Sequence, residues 1–214
     1  MAWKFLKYQK MRCVLKEDGK IRQEMIKIGV LALQGAFREH INSIKNCGAD
    51  AVEIKFPDQL SEIDGLIIPG GESTTINKLL KKYNFNLHLD EFHKSGKAIY
   101  GTCAGLILVA NKVENEDFGL GYIDMDVSRN FYGRQIDSFE EYVSLSFDKK
   151  EKFKAIFIRA PKILRAGPDV AILSKIKDNI ILARQGNVLV STFHPELQDD
   201  RRIHEYFLKM IEKL

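Results

Sequence analysis

The stretch Lys97-Ala98-Ile99-Tyr100-Gly101-Thr102-Cys103-Ala104-Gly105-Leu106-Ile107-Leu108-Val109-Ala110 decides how the chain is read. Lys97 to Tyr100 reads as a short buried strand and Leu106 to Ala110 as the apolar start of a helix, so Cys103 falls at the bend between them. A glycine-flanked strand-to-helix turn lifts its central side chain off the sheet edge, and helix N-termini favour thiolates, so Gly101 to Gly105 is a candidate nucleophile elbow. The amide of Ala104, next in the chain, is placed to hold an oxyanion. A cysteine in an apolar stretch is also a common inert core residue. The rest of the chain must therefore supply a base and a second oxyanion donor.

Upstream, Ile26 to Leu33 is a strong buried-strand signal, followed by a helix with Phe37, Ile41 and Ile44 at helical spacing and Cys47-Gly48 as its stop. Ala51 to Lys55 and Gly65 to Ile68 read as further strands, and strands separated by helical lengths imply crossovers and a parallel sheet. The strand at Gly65 to Ile68 runs into Pro69-Gly70-Gly71-Glu72-Ser73-Thr74, where two glycines let backbone amides face a ligand and Ser73 or Thr74 can cap the next helix. An ordinary strand-to-helix turn would use the same residues. A phosphate-binding loop is excluded because the Gly-Lys-Ser/Thr ending is absent.

Downstream of Asn111 the strands shorten and helices thin out, so a mixed or antiparallel portion is expected. The loop Arg129 to Gln135 carries Arg129 and Arg134, which would clamp a carboxylate or simply face solvent. Ile180 to Arg184 and Val188 to Phe193 form a hairpin about Gln185-Gly186-Asn187, and the second strand ends at His194-Pro195-Glu196. Pro195 is expected to hold this segment extended, so residues two apart share a face and Glu196 reaches the His194 imidazole. A helix from Arg202 to Leu214, with Ile203, Phe207, Met210 and Leu214 along one side, closes the chain.

Composition bounds the rest. At 214 residues, 45% hydrophobic, the chain fits one α/β domain with an ample core, and no apolar run is long enough to span a bilayer. The net charge of +4 resides in residues 1–24, where seven basic side chains face three acidic ones; the remainder carries 26 of each. A neutral body argues against a nucleic-acid partner. Three widely spaced cysteines, Cys13, Cys47 and Cys103, form neither a disulfide framework nor a metal motif, and a reducing cytoplasm is the expected compartment. Residues 1–24 lack the apolar core of a secretory signal and read as an extension, disordered or packed peripherally, to a domain spanning 25–214.

The elbow, the Gly-Gly-Glu-Ser turn and His-x-Glu all fall at strand ends, and together they suit acyl transfer by a thiolate, a proton-shuttling imidazole and an orienting carboxylate. With these residues the chain resembles the class I, triad-type glutamine amidotransferases. Gly29 to Ala36 with Arg38-Glu39-His40, Pro69 to Thr75, Arg129-Asn130 through Gln135, Ser138-Phe139-Glu140, Phe157 to Pro161 and Phe193 to Leu197 make it more closely similar to the glutaminase subunits of pyridoxal 5′-phosphate synthase. The resemblance runs from about Ile26 to the end.

It implies a three-layer α/β fold, with a mixed, mostly parallel central sheet flanked by helices, and hydrolysis of L-glutamine to glutamate and ammonia through a thioester on Cys103. His194 would be base and then acid, Glu196 its orienter, and Gly71 and Ala104 the oxyanion hole. Gly71, Glu72, Ser73, Arg129, Ile158 and Arg159 would hold the substrate. No cofactor or metal is implied. Ammonia would pass to a synthase subunit whose docking settles the loop near Gly70-Gly71. A glutaminase subunit of another synthase, such as one of histidine or purine biosynthesis, a catalytically silent binding subunit and a cysteine peptidase on a similar fold are the competing expectations.

Overall fold

The computed structural model describes residues 9–15, 20–129 and 138–212. Strands apolar on both faces require cover on both, and the chain supplies it with crossover helices. In chain order the strands are β1 (Met11–Leu15), β2 (Ile21–Met25), β3 (Lys27–Leu31), β4 (Asp50–Ile54), β5 (Gly65–Ile68), β6 (Ala98–Thr102), β7 (Ala110–Val113), β8 (Ile123–Ser128), β9 (Ser138–Leu145), β10 (Asp148–Ile158), β11 (Lys162–Ala166), β12 (Ala171–Ile176), β13 (Asn179–Gln185) and β14 (Val188–Ser191). The helices are α1 (Phe37–Asn46), α2 (Ser73–Lys82), α3 (Phe85–Lys94), α4 (Ala104–Val109) and α5 (Arg202–Ile211).

Seven strands form the central sheet in the order β12-β13-β14-β6-β5-β3-β4. Pairings from β14 to β4 are parallel, whereas β12-β13 and β13-β14 are antiparallel, as the thinning of helices after Asn111 suggested. The ribbon β9-β10 and the small sheet β11-β8-β7 stand beside it. One core lies between the sheet and α2, α3 and α4, centred on Leu66, Ile68, Ile76, Phe85, Ile99 and Leu106. The other packs α1, α5 and the β9-β10 ribbon over Ile28, Ile67, Tyr100, Phe153, Leu189 and Phe207. The fold is the three-layer α/β arrangement that the sequence implied.

Three local expectations are corrected. The helix after Cys103 is short: it ends at Val109, and Ala110 opens β7 instead of extending the helix. The cap of α2 is Glu72, whose carboxylate accepts the Thr74 and Thr75 amides, rather than Ser73 or Thr74. A carboxylate offers two acceptor oxygens to the orphan amides of the first turn, and a hydroxyl only one. His194-Pro195-Glu196 is not extended; Pro195–Leu197 forms a 3-10 turn with Pro195 in its first position.

Among the described residues before Ile26, β1 and β2 pair antiparallel, and their neighbours contact the sheet's opposite, N-terminal edge. Lys10 donates its amide to the Gly48 carbonyl at 2.9 Å, Ile26 donates to the Lys10 carbonyl at 2.8 Å, and Arg12 pairs with Asp64 at 3.0 Å.

Candidate active site

Parallel pairing delivers the site. The register sets Ile68 beside Gly101 and Thr102 beside Ser191, so the segments leaving β5, β6 and β14 emerge together at the carboxyl edge, where ligands bind in open α/β sheets. They converge closely: a β-carbon added to Gly70 would lie 2.3 Å from His194 Cε1 and 3.4 Å from Cys103 Cβ.

Cys103 occupies the N-cap of α4 with φ 48° and ψ −101°, a conformation that costs a non-glycine residue about 1–3 kcal/mol. Its amide donates to the Ser191 carbonyl at 2.8 Å and its carbonyl accepts from Ile107 at 3.3 Å, so neighbouring backbone holds the turn. The motif's glycines serve close approach. A β-carbon on Gly101 would come 2.7 Å from the Gly105 carbonyl, and one on Gly105 would come 1.9 Å from the Ile68 oxygen. The short helix can therefore sit directly on β5 and β6.

His194 and Glu196 are 7% and 6% exposed, and His194 Nδ1 lies 2.7 Å from Glu196 Oε1. The imidazole lies close enough to the Cys103 side chain for the sulfur to favour its charged form. The 3-10 turn thus brings Glu196 behind His194, and His194 beside Cys103 at the cavity. Burial works against the His194 imidazolium, but the hydrogen bonds and charges of Cys103 and Glu196 outweigh it and raise its pKa to about 10. Burial also opposes charge on Glu196, yet His40 and His194 overcome it and hold the carboxyl below its ordinary value.

The cavity over Cys103 has a volume of about 380 Å³, within the range of small-molecule sites. Its walls include Gly71, Glu72, Ser73, Ala104, Arg129, Ile158 and Arg159, so each residue expected to hold substrate or oxyanion borders it. The Ile158 carbonyl accepts from Cys103 Sγ at 3.8 Å, and Arg159 sits at φ 44°. The Gly70 to Glu72 loop is pinned from two sides. Gly70 donates to Thr102 Oγ1 at 3.0 Å and accepts from the Ala36 amide at 3.1 Å, while Glu72 donates to Gln34 Oε1 at 2.8 Å.

Residues 30–213 match the model of the SNO glutamine amidotransferase family. The chain belongs to that family. Among curated relatives, pyridoxal 5′-phosphate synthase subunit PdxT of Shouchella clausii is 54% identical over 187 residues, covering 87% of this chain and 95% of the relative. The protein of the same name from Carboxydothermus hydrogenoformans is 51% identical over 189 residues, covering 88% and 99%. A solved glutamine amidotransferase superposes with a TM-score of 0.81 at 43% identity, over 86% of this chain and 98% of its own. PurLQS of Thermotoga maritima, at 16% identity, shares the fold with a TM-score of 0.66 over 86% and 98%.

Within this amidotransferase cavity, Arg129 is already engaged. It pairs with Glu72 Oε1 at 3.1 Å and with the Glu116 carboxylate. Burial pushes the Glu72 carboxyl up, but hydrogen bonds from Thr74 and Thr75 dominate and hold its pKa at about 2. Arg134, the other arginine of the expected clamp, lies outside the described residues. Sequence reasoning gave no contact to Thr102, Glu116 or His204, and Gln34 and His40 entered only as marks of the family resemblance. Among the described residues no cluster of His, Cys, Asp or Glu is arranged for a metal ion, and no helix is long and apolar enough to cross a membrane.

Proposed function

We propose that the protein hydrolyses L-glutamine and supplies the ammonia to a synthase subunit that makes pyridoxal 5′-phosphate. The observation that carries the reading is the placement of Cys103 and His194 at one cavity with Glu196 hydrogen-bonded behind His194, in a chain half identical to proteins named as pyridoxal 5′-phosphate synthase subunits. The Cys103 thiolate attacks the side-chain amide carbon of glutamine, and the oxygen that becomes negative is held by the Gly71 and Ala104 amides. His194 protonates the amide nitrogen, the C–N bond breaks, and ammonia leaves a γ-glutamyl thioester. His194 then takes a proton from water, whose oxygen attacks the thioester. The C–S bond breaks, releasing glutamate and restoring the thiolate.

Glu196 fixes the tautomer and orientation of His194 throughout. Gly71, Glu72, Ser73, Arg129, Ile158 and Arg159 hold the amino-acid end of the substrate, with Arg129 kept in place by its carboxylate partners. Residues 25–214 form the glutaminase domain and residues 1–24 an extension to it. The cytoplasm is the compartment; all three cysteines are free thiols, which supports a reducing environment.

Glutamate release from L-glutamine, measured with and without the synthase subunit, tests the proposal. Activity should rise on addition of the synthase and vanish in Cys103→Ala, while the variant still binds the synthase. Turnover retained by Cys103→Ala would eliminate the thioester route. Absence of binding and stimulation by the synthase would eliminate the pathway.

A further inference from the structure

Behind Glu196 lie two more imidazoles. His40, on the inner face of α1, and His204, on the inner face of α5, are both fully buried. His40 Nδ1 is 3.0 Å from His204 Nε2. His40 Nε2 is 3.1 Å from Thr102 Oγ1 and 3.3 Å from Glu196 Oε2. Imidazoles in a core cost desolvation unless their nitrogens are used, so their proton order matters.

Two neutral arrangements are available. In the first, His204 Nε2–H donates to His40 Nδ1, and His40 carries its own proton on Nε2, facing Thr102 and Glu196. In the second, His40 Nδ1–H donates to His204 Nε2, which leaves the His204 proton on Nδ1 and a bare lone pair on His40 Nε2. Two buried atoms decide between them. His204 Nδ1 has no hydrogen-bond partner among the described residues, so the second arrangement orphans an N–H where the first leaves only a lone pair. Glu196 Oε2 is buried without a hydrogen bond of ordinary geometry; the second arrangement turns a lone pair toward it and the first an N–H. Both ends of the chain select the first.

We propose that His40, its tautomer set by His204, is a positioning residue of the glutaminase site, presenting Nε2–H to the second oxygen of Glu196 while the first oxygen holds His194. The same N–H is in reach of Thr102 Oγ1, which accepts the Gly70 amide at 3.0 Å. One imidazole thus braces both the carboxylate behind His194 and the loop beside Cys103. The catalytic consequence rests on the glutaminase reading; the proton order does not.

The groups facing this pair are few. Glu196 and His194 lie on the segment after β14, Arg201 at the start of α5, and Glu39 on α1 itself; the Tyr100 ring of β6 stands edge-on to His40 at 6.2 Å with its hydroxyl on Ser191. Burial lowers the pKa of His40 and, with the His40 charge adding to it, brings that of His204 to about 3, so both are neutral near pH 7.

The test is long-range proton–nitrogen NMR of the full chain labelled at histidine nitrogens, with the variants His40→Leu and His40→Gln. His40 and His204 should both carry their proton on Nε2. Removing the donor to Glu196 leaves the carboxylate's charge undispersed beside the imidazolium, so in His40→Leu the His194 titration should rise by about one pH unit, tenfold in proton affinity. The amide of Gln places an N–H near the vacated Nε2, and His40→Gln should recover at least half of that shift. With the synthase subunit present, His40→Leu should lose about tenfold in kcat, with KM held within about twofold.

An Nδ1–H on either imidazole overturns the proposal, as does an unmoved His194 titration in a variant with a native thermal transition. If His40→Leu does not fold, the wild-type tautomers and the His40→Gln titration decide it. If the wild type releases no glutamate with the synthase, the glutaminase reading falls, and the histidine titrations still decide the role of His40.

Discussion

Gly105→Ala isolates the packing on which the elbow depends. Its β-carbon would lie 1.9 Å from the Ile68 carbonyl oxygen, about 1 Å inside the closest approach that real β-carbons make, and the obstacle is backbone at the core of the sheet. Relief requires α4 to move away from β5 by roughly that distance, carrying Cys103, its N-cap, with it. Overpacking of this kind costs about 1–3 kcal/mol. In a chain of this length that lowers Tm by about 2–12 °C. A 1 Å displacement of a reacting group costs about 100-fold in rate, so kcat should fall much further than stability does.

The control is Gly186→Ala in the β13-β14 turn, where φ is 53° and a β-carbon meets nothing within 4 Å. There the cost is the dihedral alone, about 1 kcal/mol, with activity unchanged. Thermal unfolding and glutamate release, both in the presence of the synthase, compare the pair. Equal kcat in Gly105→Ala and wild type would refute the claim that helix-to-strand contact places the nucleophile.

The folded chain holds the His194 proton up to about pH 10 against about 6.5 when unfolded. The imidazolium therefore adds stability that is complete below pH 6.5 and lost as pH rises through 10, and urea midpoints of Glu196→Gln should decline less across that window than those of the wild type. Glu72→Ala removes the cap of α2 and one of the two carboxylates on Arg129; a loss of about 1 kcal/mol in stability is expected from the cap, with KM for glutamine raised about tenfold and kcat little changed. An unchanged KM would remove Glu72 and Arg129 from substrate binding. Deleting residues 1–24 removes the Arg12–Asp64 pair and the Lys10–Gly48 bond, and should lower Tm by a few degrees while glutaminase activity stays within about twofold; failure to fold would place the hairpin inside the domain.

Legibility followed the range of the interactions involved. The β5, β6 and β13-β14 segments could be read because continuous apolar runs bounded by glycine or proline are local patterns. Cys103 and His194 stood out because a glycine-flanked bend and a strand ending at His-Pro-Glu are local signatures. The cap at Glu72 was misread because the hydroxyl rule is a preference, and a carboxylate beside two threonines satisfies the same amides. The 3-10 turn at Pro195 was misread because proline fits the first position of such a turn as well as an extended segment. His40 lay in a helix expected to bury Phe37, Ile41 and Ile44, yet the buried residues are His40, Ser43 and Ile44.

The sequence alone determined the α/β class, the strand-end placement of Cys103 and His194, and the family resemblance, since these depend on neighbours a few residues apart. Tertiary structure decided what those residues touch. His40 meets His204 across 164 positions of chain and Thr102 across 62, and Arg129 meets Glu72 across 57. Such contacts leave no periodicity to read: a buried imidazole is stable only against particular partners, and only the folded sheet brings those partners within hydrogen-bonding reach.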